Sequence, residues 1–261
     1  MNILLTNDDG IHAPGMEALI SAMPKTGVQV AVAAPATQRS ASGHSITLGQ
    51  RLRVEECHVK GIKKFAVHGT PADCVKFAIA GLDNFQPDLL ISGINQGANT
   101  GVSVYYSGTI SAAREGFINQ IPAVAVSLCS SSSTDFEASI DITRRIIEGY
   151  RAGQFPLDVM LSINVPPLPL REIRGVRVTK QAHSHFIEEL IPEKEHDGKK
   201  IFTLAGEIEI YEPDGASDEE AVAEGYISIT PLKLDLTDYR FIKHFEDWLK
   251  TSKSGGAGRK I

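Results

Sequence analysis

Cysteine is scarce and scattered in this chain. Cys57, Cys74 and Cys129 are the only three, and no two of them form a CxxC pair. An odd, widely spaced set argues against a disulfide framework and against a thiolate zinc site, so small buried thiols are expected. Positive charge is not in excess: 26 Lys and Arg stand against 32 Asp and Glu, a net charge of -6. Without a basic stripe the surface is not built to bind a large nucleic acid, although a small phosphorylated ligand needs only a local site. No apolar run reaches the roughly 20 residues that span a bilayer. The N-terminus also lacks a basic, apolar and small-residue leader, and a soluble, cytoplasmic protein is expected. What the chain does have is 42% hydrophobic residues over 261 positions. That suits one large α/β domain, or a domain with an appendage.

The first half alternates between period-2 apolar runs and helical spacing. NILLT, VQVAVAAP, KKFAVHG, DLLISG, PAVAVSL and VMLSINVP read as strands, and ITLGQRLRVEE as another. GMEALISAM, the segment from Thr70 through VKFAIAGL, ISAAREGF and FEASIDITRRIIEGYRAG read as helices. Such alternation predicts a Rossmann-like parallel sheet with helices on both faces and ligands beyond the strands' carboxyl ends. Residues 1–174 are expected to form this core. From about Gly175 the pattern changes. VRVTKQ, a polar stretch and KIFTLAGEIEIYEP read as a long β-hairpin with little core of its own. SDEEAVAEG is a short acidic helix, YISITPLKLDL a strand that returns to the core sheet, and FIKHFEDWL an amphipathic helix. This extension, 175–250, predicts a homo-oligomer in which the hairpin or the last helix reaches a second subunit. Residues 251–261 are expected to form a flexible tail.

Candidate chemistry clusters in the loops after strands. NDDG places Asp8 and Asp9 side by side behind the first strand. Two ionised carboxylates that close repel each other, and a hard divalent cation with a taste for oxygen removes the conflict. An Asx-type turn is the structural alternative, and four residues do not separate the two. RSASGHS, residues 39–45, carries Ser40 and His44. A serine hydroxyl can ligate a cation or bind phosphate, and His44 could approach a phosphate or substrate; a plain flexible connection is the rival reading. GINQGANTG, residues 93–101, offers the amides of Asn95 and Asn99 among glycines that let a backbone approach a ligand. Ser107, Gly108 and Thr109 precede a helix, whose free N–H groups and dipole suit a phosphate; a simple Ser or Thr cap is compatible with that role. Thr70-Pro71-Ala72-Asp73 reads as a structural capping box. His183 and His185 form an H-x-H whose side chains share one face, a solvated hairpin face being favoured over a metal pair.

Taken in order, NDDGIHAPG, RSASGHSITL, HGTPADCV, SGINQGANTG, YSGTISAAREG, SINVPP and GYISITPLKLDLT resemble the SurE family. These are the stationary-phase survival proteins, metal-dependent nucleoside monophosphatases. The resemblance implies one divalent ion per subunit, magnesium or manganese in type, held by Asp8, Asp9, Ser40 and Asn95. It implies phosphate contacts from Asn99, Ser107, Gly108 and Thr109. It further implies removal of 5′- or 3′-phosphates from nucleoside monophosphates, trimming of short polyphosphate by some members, and dimers or tetramers that exchange C-terminal elements. TKQAHSHFIEE departs from a more arginine-rich version of that segment and so says little about base or chain-length preference.

The mechanism expected from these residues is metal-assisted attack by water, with Asp8 or Asp9 orienting it and no protein nucleophile. The DxDxT arrangement of aspartyl-phosphate phosphatases is missing. A receiver-type signalling module would need an aspartate after the third strand and a lysine after a late one. DLLISGIN ends in Asn95 and PAVAVSLCSSS has no lysine. A nucleotide-sugar transferase would need a second sugar-binding domain, which the pattern does not suggest.

Overall fold

The computed structural model describes residues 1–23, 27–59, 61–193, 198–211 and 213–254. Its centre is β1 (Asn2–Thr6), flanked in parallel by β2 (Gln29–Pro35) and β5 (Leu89–Gln96). β4 (Ile62–Val67) lies parallel outside β2, and β6 (Ala123–Leu128) and β7 (Met160–Val165) lie parallel outside β5. An antiparallel strand is added on each side: β3 (Val54–Val59) on β4, where it forms one edge, and β11 (Ile227–Leu232) on β7. β8 (Val176–Val178) runs parallel to β11 at the rim.

Strand alternation sends side chains to two cores. Ile3 and Leu5 pack with Met16 and Leu19 of α1 (Pro14–Ala22) and with Ile142 and Ile146 of α5 (Glu137–Arg151). Leu4, between them, packs on the opposite face with Val75 of α2 (Pro71–Gly81) and Ala113 of α4 (Gly108–Ile118). The inner strands are buried on both sides, which is why they read as nearly continuous apolar runs. α2 starts as its sequence predicts. Thr70 Oγ1 accepts from the Asp73 N–H, and Asp73 Oδ2 accepts from the Thr70 N–H. No helix among the described residues is long and apolar enough to cross a membrane.

Four details differ from expectation. Only Val54–Val59 of the segment beginning at Ile46 is a strand. Thr47 instead gives its N–H and hydroxyl to Asp73, at 2.9 and 2.5 Å, so this stretch is spent on the start of α2. A short helix, α3 (Ser103–Tyr106), lies in the Gly/Asn loop. The hairpin's first arm is not VRVTKQ but the polar stretch after it. β9 (Ser184–Pro192) pairs with β10 (Phe202–Ile210), while Val176–Val178 stays with the main sheet because β11 offers it a ladder. α6 (Asp218–Ala223) precedes β11. The last helix, α7, runs Tyr239–Ser254, longer than FIKHFEDWL and through the first residues of the expected tail; 255–261 lie outside the described residues.

Candidate active site

The chain moves outward from β1 through β2 to β4, then crosses to β5 on the other side of β1 and continues to β6 and β7. The connections leaving β1 and β5 therefore diverge. In an open α/β sheet the crevice between two such carboxyl ends is where ligands sit. Asp8 and Asp9 follow β1, and Asn95 lies near the end of β5.

Asn7 resolves the ambiguity of NDDG. Its Nδ2 donates to Gly10 O at 2.8 Å, and its Oδ1 accepts from Gly10 N at 3.2 Å. The turn is thus made by the asparagine, which leaves both aspartates free of it. Asp8 faces the start of α4, where the Thr109 hydroxyl donates to Asp8 Oδ1. The fit is tight: a Cβ on Gly108 would lie 2.6 Å from Asp8 Cβ, so only glycine allows the helix to approach. Ser107 caps α4 by accepting from the Ile110 N–H at 3.0 Å. Asp9 Oδ2 accepts from the backbone N–H of Gln96 at 3.3 Å, which ties the β1 loop to the end of β5.

The electrostatics are unbalanced. Asp8 is only 5% exposed. Burial pushes its carboxyl up to about 6; the Thr109 hydroxyl works against the rise and the Asp9 charge adds to it. Burial also raises Asp9, opposed by the Gln96 N–H. At neutral pH two crowded carboxylates face one crevice without a cationic partner among the described residues. Asn95 donates its Nδ2 to Gly97 O at 2.8 Å, which fixes the amide and leaves Oδ1 as the unused acceptor. At the strand ends Thr6 and Ser92, opposite each other in register, bury hydroxyls that have no hydrogen-bond partner. Two carboxylates, an amide oxygen and nearby hydroxyls make an all-oxygen donor set, which fits a hard dication. No group of three His, Cys, Asp or Glu side chains among the described residues offers a rival metal centre.

Ser40 stands close by but is not engaged. The Arg39 N–H donates to Asp8 O at 2.7 Å, which docks the serine loop on the acidic loop. Ser40 Oγ itself accepts from Gln38 Nε2 at 2.9 Å and is exposed. His44 is directed along α4: its Nε2 lies 2.9 Å from Glu115 Oε2, and Lys76 Nζ holds the other oxygen of that buried carboxylate at 2.7 Å. Asn99 lies farther along the same sheet edge. Its N–H donates to Asn164 Oδ1 at 2.9 Å and its Nδ2 to Ser127 Oγ at 2.8 Å. His183 and His185 both lie against the Tyr211 ring, with centroids 5.0 and 4.4 Å away, His183 tilted and His185 stacked on it, so the H-x-H pair packs on an aromatic side chain.

Sequence reasoning missed several contributors. Ser127 carries no motif, and Asn7 and Asn164 stand inside NDDG and SINVPP with no role of their own assigned. Asn164 and Ser127 are nevertheless polar residues at the ends of otherwise apolar strands, the same signal that marks Asn95. Glu115 and Asp218, both buried, left no local sign, because their partners lie 71 and 117 positions away.

Comparison with known proteins bears on the chain as a whole. The family model described as Survival protein SurE matches residues 3–188. The 5′-nucleotidase SurE of Synechococcus sp. (strain JA-3-3Ab) is 42% identical over 252 residues, 95% of this chain and 97% of that protein. The 5′-nucleotidase SurE of Moorella thermoacetica is 41% identical over 261 residues, 99% and 100% of the two chains. The crystal structure of the SurE protein from Aquifex aeolicus superposes with a TM-score of 0.81 at 35% identity, covering 96% of this chain and all of that one. With the diverging strand ends, the paired aspartates and the glycine-backed α4 start in one corner, and with likeness over nearly its whole length, the chain belongs to the SurE family.

Proposed function

We propose that this protein is a phosphatase of nucleoside 5′-monophosphates, releasing nucleoside and inorganic phosphate with one bound divalent ion, Mg²⁺ or Mn²⁺, per subunit. The observation that carries this reading is the adjacent pair Asp8 and Asp9 at the β1–β5 crevice, Asp8 buried against the start of α4 and half-buried Asp9 tied to the end of β5, with no cationic side chain paired to either among the described residues. Asp8, Asp9 and Asn95 would hold the ion, with Ser40 swinging in from the docked serine loop. When bound, the ion would neutralise phosphoryl oxygens and make a water more acidic. The chain's own groups do the positioning. Asp8, braced by Thr109, stays fixed while Asp9 is aimed by the Gln96 N–H; one of the two orients the attacking water. Ser107, Gly108 and Thr109 present the positive end of α4 to the phosphate, and Asn99 meets another of its oxygens. His44, held by Glu115, would approach the substrate from the serine loop. Phosphoryl transfer asks for little more than such placement and charge stabilisation.

Two further parts belong to the proposal. The exposed apolar faces of α7 and the hairpin support a homodimer or tetramer with exchanged C-terminal elements. The three free thiols suit a reducing cytoplasm. The test is release of phosphate from a panel of nucleoside 5′- and 3′-monophosphates and short polyphosphate, each with Mg²⁺, Mn²⁺ or a chelator. Metal-dependent release, greatest with a 5′-monophosphate, is expected. No release with any of these metals would overturn the reading.

A further inference from the structure

The loop from Asn99 to Val102 gives five of its eight backbone polar groups to side chains of other elements. The Asn99 N–H goes to Asn164 of β7. The Gly101 carbonyl accepts from Gln181 Nε2 at 2.7 Å, and the Val102 N–H donates to Ser184 Oγ, the first residue of β9, at 3.0 Å. The Gly101 N–H donates to the Asp218 carboxylate, 3.1 Å from Oδ2 and 3.3 Å from Oδ1. Asp218 stands at the start of α6 and is 1% exposed. It also accepts from the Ala182 N–H at 2.9 Å.

A buried carboxylate is costly unless strong hydrogen bonds offset its lost hydration. Among the described residues Asp218 has no cationic partner and is met by backbone N–H groups alone. Such charge-assisted bonds are short-ranged and directional. They fix where a backbone lies better than an apolar contact does. The approach is also close: Gly101 has φ +49°, and a Cβ there would lie 2.1 Å from Ser184 Oγ and 2.3 Å from Glu219 Oε1. We propose that Asp218 is a positioning residue for the phosphate-binding loop: by gripping Gly101 and Ala182 together it sets the backbone of Asn99–Val102 and so the aim of the Asn99 amide. This rests on the phosphatase reading. It places a residue of the C-terminal extension in service of the catalytic edge.

Asp218→Asn tests it, since the amide keeps the size but cannot accept from both N–H groups equally. The inhibition constant for inorganic phosphate and KM for a nucleoside monophosphate are expected to rise together by about tenfold, the effect of weakening one hydrogen bond to a charged group. The fall in kcat should be smaller, and Mn²⁺ affinity should stay within about twofold of wild type. Backbone amides of residues 99–102 should exchange faster with deuterium. A lower melting temperature with phosphate inhibition and amide exchange unchanged would make Asp218 a mere structural staple and overturn the proposal. If Asp218→Asn does not fold, Ser184→Ala, which removes only the acceptor for the Val102 N–H, should shift the same two readouts less far; no shift overturns the proposal equally. A wild-type protein that binds Mn²⁺ but releases no phosphate would instead sink the phosphatase reading and this role with it. Deuterium exchange would still report the grip itself.

Discussion

The β1–β5 corner and the hairpin–α7 extension are both incomplete in a single chain, and in opposite ways. At the corner Asp8, Asn95, Asn99 and Thr109 are buried polar groups, held by one another, by backbone and by the side chains of Ser127 and Asn164. What is left over there is negative charge. In the extension the β9–β10 ladder satisfies the backbone from Ser184↔Ile210 to Pro192↔Phe202. What is left over is apolar surface: Leu204 is 64% exposed, and Phe245 and Trp248 are 59% exposed each. Excess buried charge is relieved by a counter-ion, and excess exposed apolar area by another apolar surface. On the proposed reading the first region takes a cation and an anionic substrate, and the second a copy of itself.

The most severe way to break the corner is to remove one of its charges. Asp9→Asn keeps an oxygen for the Gln96 N–H, so the fold should survive. Metal-dependent phosphate release should fall by about a thousandfold, the scale seen when a group that stabilises transition-state charge is lost. Phosphate release and circular dichroism on the same sample check this. Near wild-type turnover with added Mn²⁺ would remove Asp9 from the site. The extension should not notice the change, and the assembly state should match that of wild type.

A smaller effect sharpens the claim that the corner carries unrelieved charge. Asp8 titrates at about 6 in the folded protein against an ordinary 3.8. A carboxyl raised in this way contributes its full stability below its unfolded pKa and loses it as the pH climbs through the folded one. The loss amounts to about 3 kcal/mol between roughly pH 4 and pH 7. Metal-free wild type should therefore melt at lower temperature at neutral pH than near pH 5, and Mn²⁺ should restore it. Metal-free Asp8→Asn, inactive but able to accept from Thr109, should be more stable than wild type at neutral pH and show a flatter pH profile. Thermal melts of both proteins with and without Mn²⁺ decide it. A metal-free wild type indifferent to pH over this range would show that the carboxylates relieve each other without help.

These two regions were also legible to different degrees. The strand–helix alternation, the capping box at Thr70 and the placement of Asp8, Asp9 and Asn95 could be read because they are local: apolar period, Pro and Gly positions, and polar residues at strand ends. The division of labour within NDDG could not, since Asn7 and Asp8 are equally good turn formers until α4 arrives to claim Asp8. Ser40 and His44 were visible as candidates, but their partners, Gln38 and Glu115, depend on loop conformation and on packing across the sheet. In the extension the hairpin was seen with the wrong first arm. VRV and the polar stretch after it have similar alternation, and only β11, a long-range neighbour, draws Val176–Val178 into the main sheet.

The mildest break falls on the extension. Phe241, Ile242, Phe245, Trp248 and Leu249 lie on an amphipathic helix, and every side chain described from Tyr239 to Ser252 is exposed. Trp248→Glu places a charge in the middle of that face. If the face is covered by a second subunit, the change leaves a charge buried against apolar groups, and large aromatic side chains at interface centres are commonly worth about 2 kcal/mol or more. Light scattering and sedimentation at micromolar concentration should then show wild type as a dimer or larger and Trp248→Glu shifted toward monomer. A paired charge on the hairpin, Leu204→Glu, asks whether dimers pair again into tetramers through β9–β10; it should lower the assembly state without touching α7. Because Ser184 joins the hairpin to Val102, and through it to the phosphate loop, dissociation should also weaken phosphate inhibition modestly, by about two- to threefold, while leaving Mn²⁺ affinity alone. A wild-type monomer at these concentrations would mean that α7 keeps its apolar face in water, and the contrast between the two regions would reduce to the charged corner alone.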